Sequence, residues 1–220
     1  MLMRRPNKSI VMMGGKTVNE KFFELKKDKQ DRMINGAMKV FARNGYKRAS
    51  TDDMVKEAGV SKGLWFHYFG NKLGLYAFVA DYAVKYMNME LAAMFNRHPE
   101  DYFETTLAVE LTKMSVRKSY PYIPLFLSSM EREKDEEALT VLGEYKDSYR
   151  KARMKAYEKV RMDNFRDEVS MEILARTLGL TLDGFLREEY EEDAFSEENY
   201  KQEAEQYLRM MAALVENSEA

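Results

Sequence analysis

The stretch Ser50-Thr51-Asp52-Asp53-Met54-Val55-Lys56-Glu57-Ala58-Gly59-Val60-Ser61-Lys62-Gly63-Leu64-Trp65-Phe66-His67-Tyr68-Phe69 decides the fold. Ser50 and Thr51 can cap a helix N-terminus, and Asp52 and Asp53 favour its first turn by opposing the positive end of the helix dipole. Met54, Val55 and Ala58 give this short helix an apolar side, and Gly59 can take the positive φ that ends it. Val60 can pack between the two helices, and Ser61 caps a second helix expected over about 62–69. A short helix, a tight turn and a second short helix make a helix-turn-helix. On the second helix, Trp65 and Phe69 stand at i, i+4 and are assigned to the core, against Phe41 and Val55. Leu64, His67 and Tyr68 share the other side. An apolar, an aromatic and a polar group together on an exposed face suit a DNA groove better than bulk water. Leu64 can meet a thymine methyl, His67 a base edge or phosphate, and Tyr68 a phosphate.

Upstream, Ile34, Ala37, Met38 and Phe41 fall at i, i+3, i+4, i+7, one face of a helix, with Gly45 after them as a C-terminal cap. Downstream, Asn71 can cap a longer helix striped by Leu73, Tyr76, Ala77, Ala80, Ala83, Val84, Met87 and Leu91, ending near Phe95. Arg97-His98-Pro99 interrupts the chain. Further helices are expected with Phe103, Leu107, Leu111 and Met114 on one side, around Leu125–Met130, and over about 135–160, 169–187 and 197–215. No segment alternates at period two, so the chain is read as all-α with about nine helices. The expected division is a tail over 1–23, a three-helix DNA-binding unit over 24–80 and a helical regulatory and dimerisation unit over 81–220. The tail is read as disordered or as an artefact of start-site assignment. Adjacent codons for Gly14-Gly15 can spell a purine-rich ribosome-binding sequence, and Val18 can be a GTG start.

Net charge is −2, but residues 1–80 carry 16 Lys and Arg against 7 Asp and Glu, a net of +9, which leaves −11 for the remainder. A basic end suits an anionic partner. The 220 residues include no cysteine, which excludes disulfides, cysteine–zinc sites and iron–sulfur clusters, and only two histidines. No apolar run is long enough to span a membrane. The stretch Ile10–Met13 is too short for a signal peptide, so a cytoplasmic protein without membrane contact is expected. No nucleophile–base pair or phosphate-binding glycine loop stands out. Neither catalysis, nor a cofactor, nor a metal is expected.

Residues 31–79 resemble the DNA-binding domain of the tetracycline-repressor (TetR) family of bacterial regulators. Ile34, Ala37, Phe41, Gly45, Thr51, Ala58-Gly59-Val60-Ser61, Gly63, Phe69, Lys72 and Leu75 carry the likeness. The resemblance implies that Thr51 and Lys72 bind phosphate and that Lys62, Gly63 and Leu64 open the recognition helix toward bases. Phe66, His67 and Tyr68 would touch backbone and bases. Two positions depart from the family pattern, Phe66 for a tyrosine and Leu64 for a threonine, and both bear on the choice of operator.

A dimer is expected from geometry, because two recognition helices must enter successive major grooves. Leu178, Leu182, Phe185, Tyr207, Met211 and Leu214 are the expected interface, helped by the small Gly179 and Gly184. Phe103, Leu107, Met114, Phe126, Tyr145 and Tyr149 are the expected lining of an adaptable cavity for a small, apolar effector. The resulting expectation is a ligand-responsive homodimeric regulator, a repressor of a palindromic double-stranded DNA operator. The alternative is an architectural or partner-regulated protein of the same fold without a small ligand.

Overall fold

Side-chain caps set where the N-terminal helices begin. The computed structural model describes residues 19–94, 100–191 and 195–217. A 3-10 turn, Glu20–Phe22, precedes α1 (Lys27–Arg48), α2 (Thr51–Ala58), α3 (Lys62–Phe69) and α4 (Lys72–Met94). Ser50 Oγ accepts from the amides of Asp52 and Asp53 at 3.2 and 3.5 Å, and Ser61 Oγ accepts from Leu64 at 3.3 Å. Asn71 Oδ1 accepts from the Gly74 amide at 2.7 Å. Each bond satisfies an amide that the first turn of a helix leaves without a partner. Gly59, at φ 63 and ψ 41, closes α2 in the left-handed region. α1 breaks at Gly45, whose φ is 68, and resumes for one more turn.

The second half contains α5 (Tyr102–Val116), α6 (Ile123–Arg132), α7 (Glu136–Lys155), α8 (Met171–Glu191) and α9 (Glu197–Val215). α4 leaves α3 and packs against α7 and α5, while α1 packs against α2 and α6. α5 and α8 both pack against α9. The apolar core falls into two clusters. The larger joins Met33, Phe41, Trp65 and Leu75 to Phe126, Leu142 and Tyr145, so burial is continuous across residue 80. The smaller joins Phe103 and Phe165 to Leu174, Leu178, Leu182, Ala204 and Leu208. Among the described residues the helices account for the fold, and the one β contact is an isolated bridge between Phe165 and Glu216. None of these helices is long and apolar enough to cross a membrane, and among the described residues no three His, Asp or Glu side chains gather to hold a metal ion.

One expectation needs correction. The tail was placed at 1–23, but residues 19–23 are ordered. Phe22 is fully buried, its ring centroid 5.7, 5.1 and 5.4 Å from those of Tyr68, Phe69 and Phe78. Burying a phenylalanine is worth about 1.5–3 kcal/mol, enough to fix a short segment that lacks helical periodicity. Residues 1–18, with the start-site reading, and the Arg97-His98-Pro99 break lie outside the described residues. The acidic stretches 131–137 and 188–191, which have the composition of solvated helix ends, turn inward in part. Glu189 is buried and accepts the Ser196 amide at 2.9 Å, which ties α8 to the start of α9.

Candidate nucleic-acid interface

The sequence of α3 sorts its side chains by face. Trp65 and Phe69 are buried and stack edge to face at 5.6 Å. Lys62, Gly63, Phe66 and His67 are exposed, Phe66 to 38%, and Leu64 is half-buried against the core. A large apolar ring held in water costs free energy unless a partner covers it. Tyr68, expected on this face, is instead buried at 7% exposure. It sits one position past the exposed pair, and the Phe22 segment covers it. The Asn19 amide donates to the Tyr68 carbonyl at 3.0 Å. Asn19 Nδ2 also lies 3.3 Å from His67 Nε2. Sequence periodicity missed this backing. The adjacent Phe22 and Phe23, just ahead of α1, were the signal for it.

Cations ring the face. Lys47, Arg48, Lys56 and Lys62 are exposed, and Lys62 pairs with Asp52 of α2 at 2.8 Å. Both partners are well exposed, so the pair is weak and readily exchanged for a phosphate. Thr51 is half-buried in the first turn of α2. Lys72 is held differently. Its Nζ donates to the carbonyls of Tyr46 and Lys47 at 3.0 and 3.4 Å and lies 4.5 Å from the Tyr46 ring centroid.

Tyr46 in turn is gripped from the second half of the chain. Its amide donates to Glu133 Oε2 at 2.8 Å, and its hydroxyl donates to Glu137 Oε2 at 2.7 Å. Glu133 Oε1 also accepts the amides of Lys134 and Asp135, both at 2.9 Å. Burial, with the Glu137 carboxylate alongside, holds the Tyr46 phenol well above its ordinary range, so it stays a donor. These carboxylates therefore fasten the α6–α7 junction to the end of α1.

The six expected pocket residues do not gather at one place. Met114, Phe126, Tyr145 and Tyr149 belong to the larger core cluster, whereas Phe103 and Leu107 belong to the smaller. Of the six expected interface residues, Leu178 and Leu182 are each 2% exposed and pack inside their own chain. Phe185, Tyr207 and Met211 are half-buried, and Leu214 is exposed. The apolar side chains that α8 and α9 present outward are Ile173, Leu180, Met210 and Leu214. Gly179 and Gly184 have open space where a side chain would stand.

This geometry defines a helix-turn-helix whose second helix, α3, shares one apolar core with an all-helical second unit. Residues 33–78 match the family of bacterial regulatory proteins, tetR family. The fold is similar to that of solved TetR family transcriptional regulators. A TetR family regulator from Chloroflexus aurantiacus superimposes with a TM-score of 0.60 at 15% identity, over 91% of this chain and 99% of that one. PfmR from Thermus thermophilus gives 0.55 at 18%, over 82% and 96%. SmeT of Stenotrophomonas maltophilia, the repressor of the multidrug efflux pump SmeDEF, gives 0.51 at 18%, over 87% and 94%. No protein of curated function matches the sequence.

Proposed function

We propose that the chain is a homodimeric transcriptional repressor that binds a palindromic DNA operator through α3 and is released by a small, apolar effector. The observation that carries this reading is the exposure of Phe66 and His67 beside the Ser61-capped start of α3, within a tetR-family domain. Lys62, Gly63, Leu64, Phe66 and His67 face the bases, Thr51 and Lys72 hold phosphates, and Tyr68 supports the helix from behind. The two-fold contact uses Ile173, Leu180, Met210 and Leu214, with Gly179 and Gly184 allowing the helices to approach. Effector binding acts through the α6–α7 junction, where Glu133 and Glu137 hold Tyr46, and Tyr46 holds Lys72. The Tyr145 hydroxyl and Asn88 Oδ1 are buried without partners, and they offer an effector its polar contacts.

A second reading, a regulator that answers to a protein partner, is favoured by the division of the expected pocket residues between two packed clusters. Mobility shifts with a palindromic site near the gene test the first reading. His67→Ala should cost about 1–3 kcal/mol, and Lys72→Ala should lower the salt slope by about one. Operator affinity unchanged by His67→Ala rejects the assigned face. Release by a small molecule in the absence of other proteins separates the two readings.

A further inference from the structure

The polarity of the bonds at Asn19 determines where His67 carries its proton. Asn19 Oδ1 accepts the Lys21 amide at 3.1 Å and so caps the Glu20–Phe22 turn. A backbone amide only donates, which fixes this end of the carboxamide as its oxygen. The opposite end, Nδ2, faces His67 Nε2 at 3.3 Å. A carboxamide nitrogen donates and does not accept, so Nε2 is the acceptor. A neutral imidazole that accepts at Nε2 has its hydrogen on Nδ1. Asn19 is anchored independently of this contact, by its amide bond to the Tyr68 carbonyl and by the buried Phe22 that follows. The His67 ring is steadied by an edge-on contact with Tyr68 at 5.2 Å.

We propose that Asn19 is a positioning residue that sets the tautomer of His67, so that the recognition helix offers an Nδ1–H donor to DNA. The inference rests on the assignment of α3 as the reading helix. A donor at this position matches acceptors: guanine O6 and N7, adenine N7, thymine O4 or a phosphate oxygen. It rejects the amino groups of adenine and cytosine, which an Nε2–H tautomer with a free Nδ1 would accept.

The test uses the full chain labelled with 15N-histidine at about pH 8.5, above the ordinary histidine range. The chain has two histidines, and the spectrum of His67→Ala assigns the ring of interest. Wild type should show a protonated Nδ1 and an unprotonated Nε2. Asn19→Asp keeps a capping oxygen but presents an acceptor to the ring, so the hydrogen should move to Nε2. Asn19→Ser keeps a good cap but lacks the carboxamide, and should give the mixture of an unpartnered ring. Each variant should bind the operator roughly 2- to 12-fold more weakly, the range of one ordinary hydrogen bond. Neither should add a loss in the His67→Ala background. A wild-type ring protonated at Nε2, or spectra unmoved by both substitutions, overturns the inference. So does an Asn19→Ser loss that persists undiminished without His67, because the role is then structural. Operator affinity unmoved by His67→Ala overturns the reading of α3 itself, whatever the ring spectra show.

Discussion

Tyr46→Phe deletes one oxygen and leaves the rest of its junction in place. The ring stays under Lys72, and the backbone bonds to Glu133 and Lys72 do not involve the hydroxyl. What disappears is a 2.7 Å bond to the Glu137 carboxylate. A bond to a charged partner is worth about 1.5–3 kcal/mol net, but Glu137 is exposed and water can replace the lost hydroxyl. The expected cost is therefore about 1–2 kcal/mol, or about 2–8 °C in Tm for a chain of this size. Glu137→Ala should cost a similar amount. The double variant should cost little more than either single one, because both remove the same bond. Thermal unfolding of the four proteins measures the cycle. Additive losses, or a Tyr46→Phe protein that melts with wild type, would refute the tie between α1 and α7. Operator affinity measured alongside should hardly change, since Lys72 keeps its carbonyl partners.

A Cβ on Gly74 would lie 2.5 Å from the Phe69 carbonyl oxygen, so Gly74→Ala must push α3 and α4 apart. It should lower stability by about 1–3 kcal/mol in urea unfolding. Burial holds the Asp81 carboxyl above its ordinary range and outweighs its 2.8 Å pairing with Lys85. The folded state then binds this proton more tightly than the unfolded chain does. The resulting penalty is full at neutral pH and fades as pH falls from the folded pKa to below the unfolded value of 3.8. Asp81→Asn should therefore be more stable than wild type at pH 7, with the gain lost in acid, as urea midpoints across pH will report. Leu180 is 64% exposed and Leu182 2% exposed. Leu180→Glu should stay folded but sediment as a monomer, whereas Leu182→Glu should lose helical signal. A Leu180→Glu dimer as tight as wild type would exclude this face as the contact.

Local signals in the sequence were reliable where a residue acts on its own helix. Ser50, Ser61, Asn71 and Gly59 are caps whose partners stand two to four residues away, and all are seen where the pattern put them. The stripe Ile34, Ala37, Met38 and Phe41 likewise turns inward as its spacing required. What the pattern could not supply is the neighbour. Periodicity separates Leu178 and Leu182 from the polar side of α8, but it does not say whether that stripe meets α9 of the same chain or another copy. Glu133 and Glu137 have the composition of a solvated helix start, and the residue they hold lies 87 and 91 positions away. Tyr68 shares a helix side with His67, yet a segment with no period of its own covers it.

Lys72 has one further consequence. An ammonium on a flexible stem normally behaves as a freely turning point charge. Here two of its three N–H bonds are directed at fixed carbonyl oxygens and the ammonium itself lies over the Tyr46 ring. A phosphate oxygen that approaches without displacing them can use only the third N–H, from one direction. A lysine so held discriminates by angle as well as by charge, a behaviour more usual for arginine. It would register the duplex at a single phosphate rather than merely attract it.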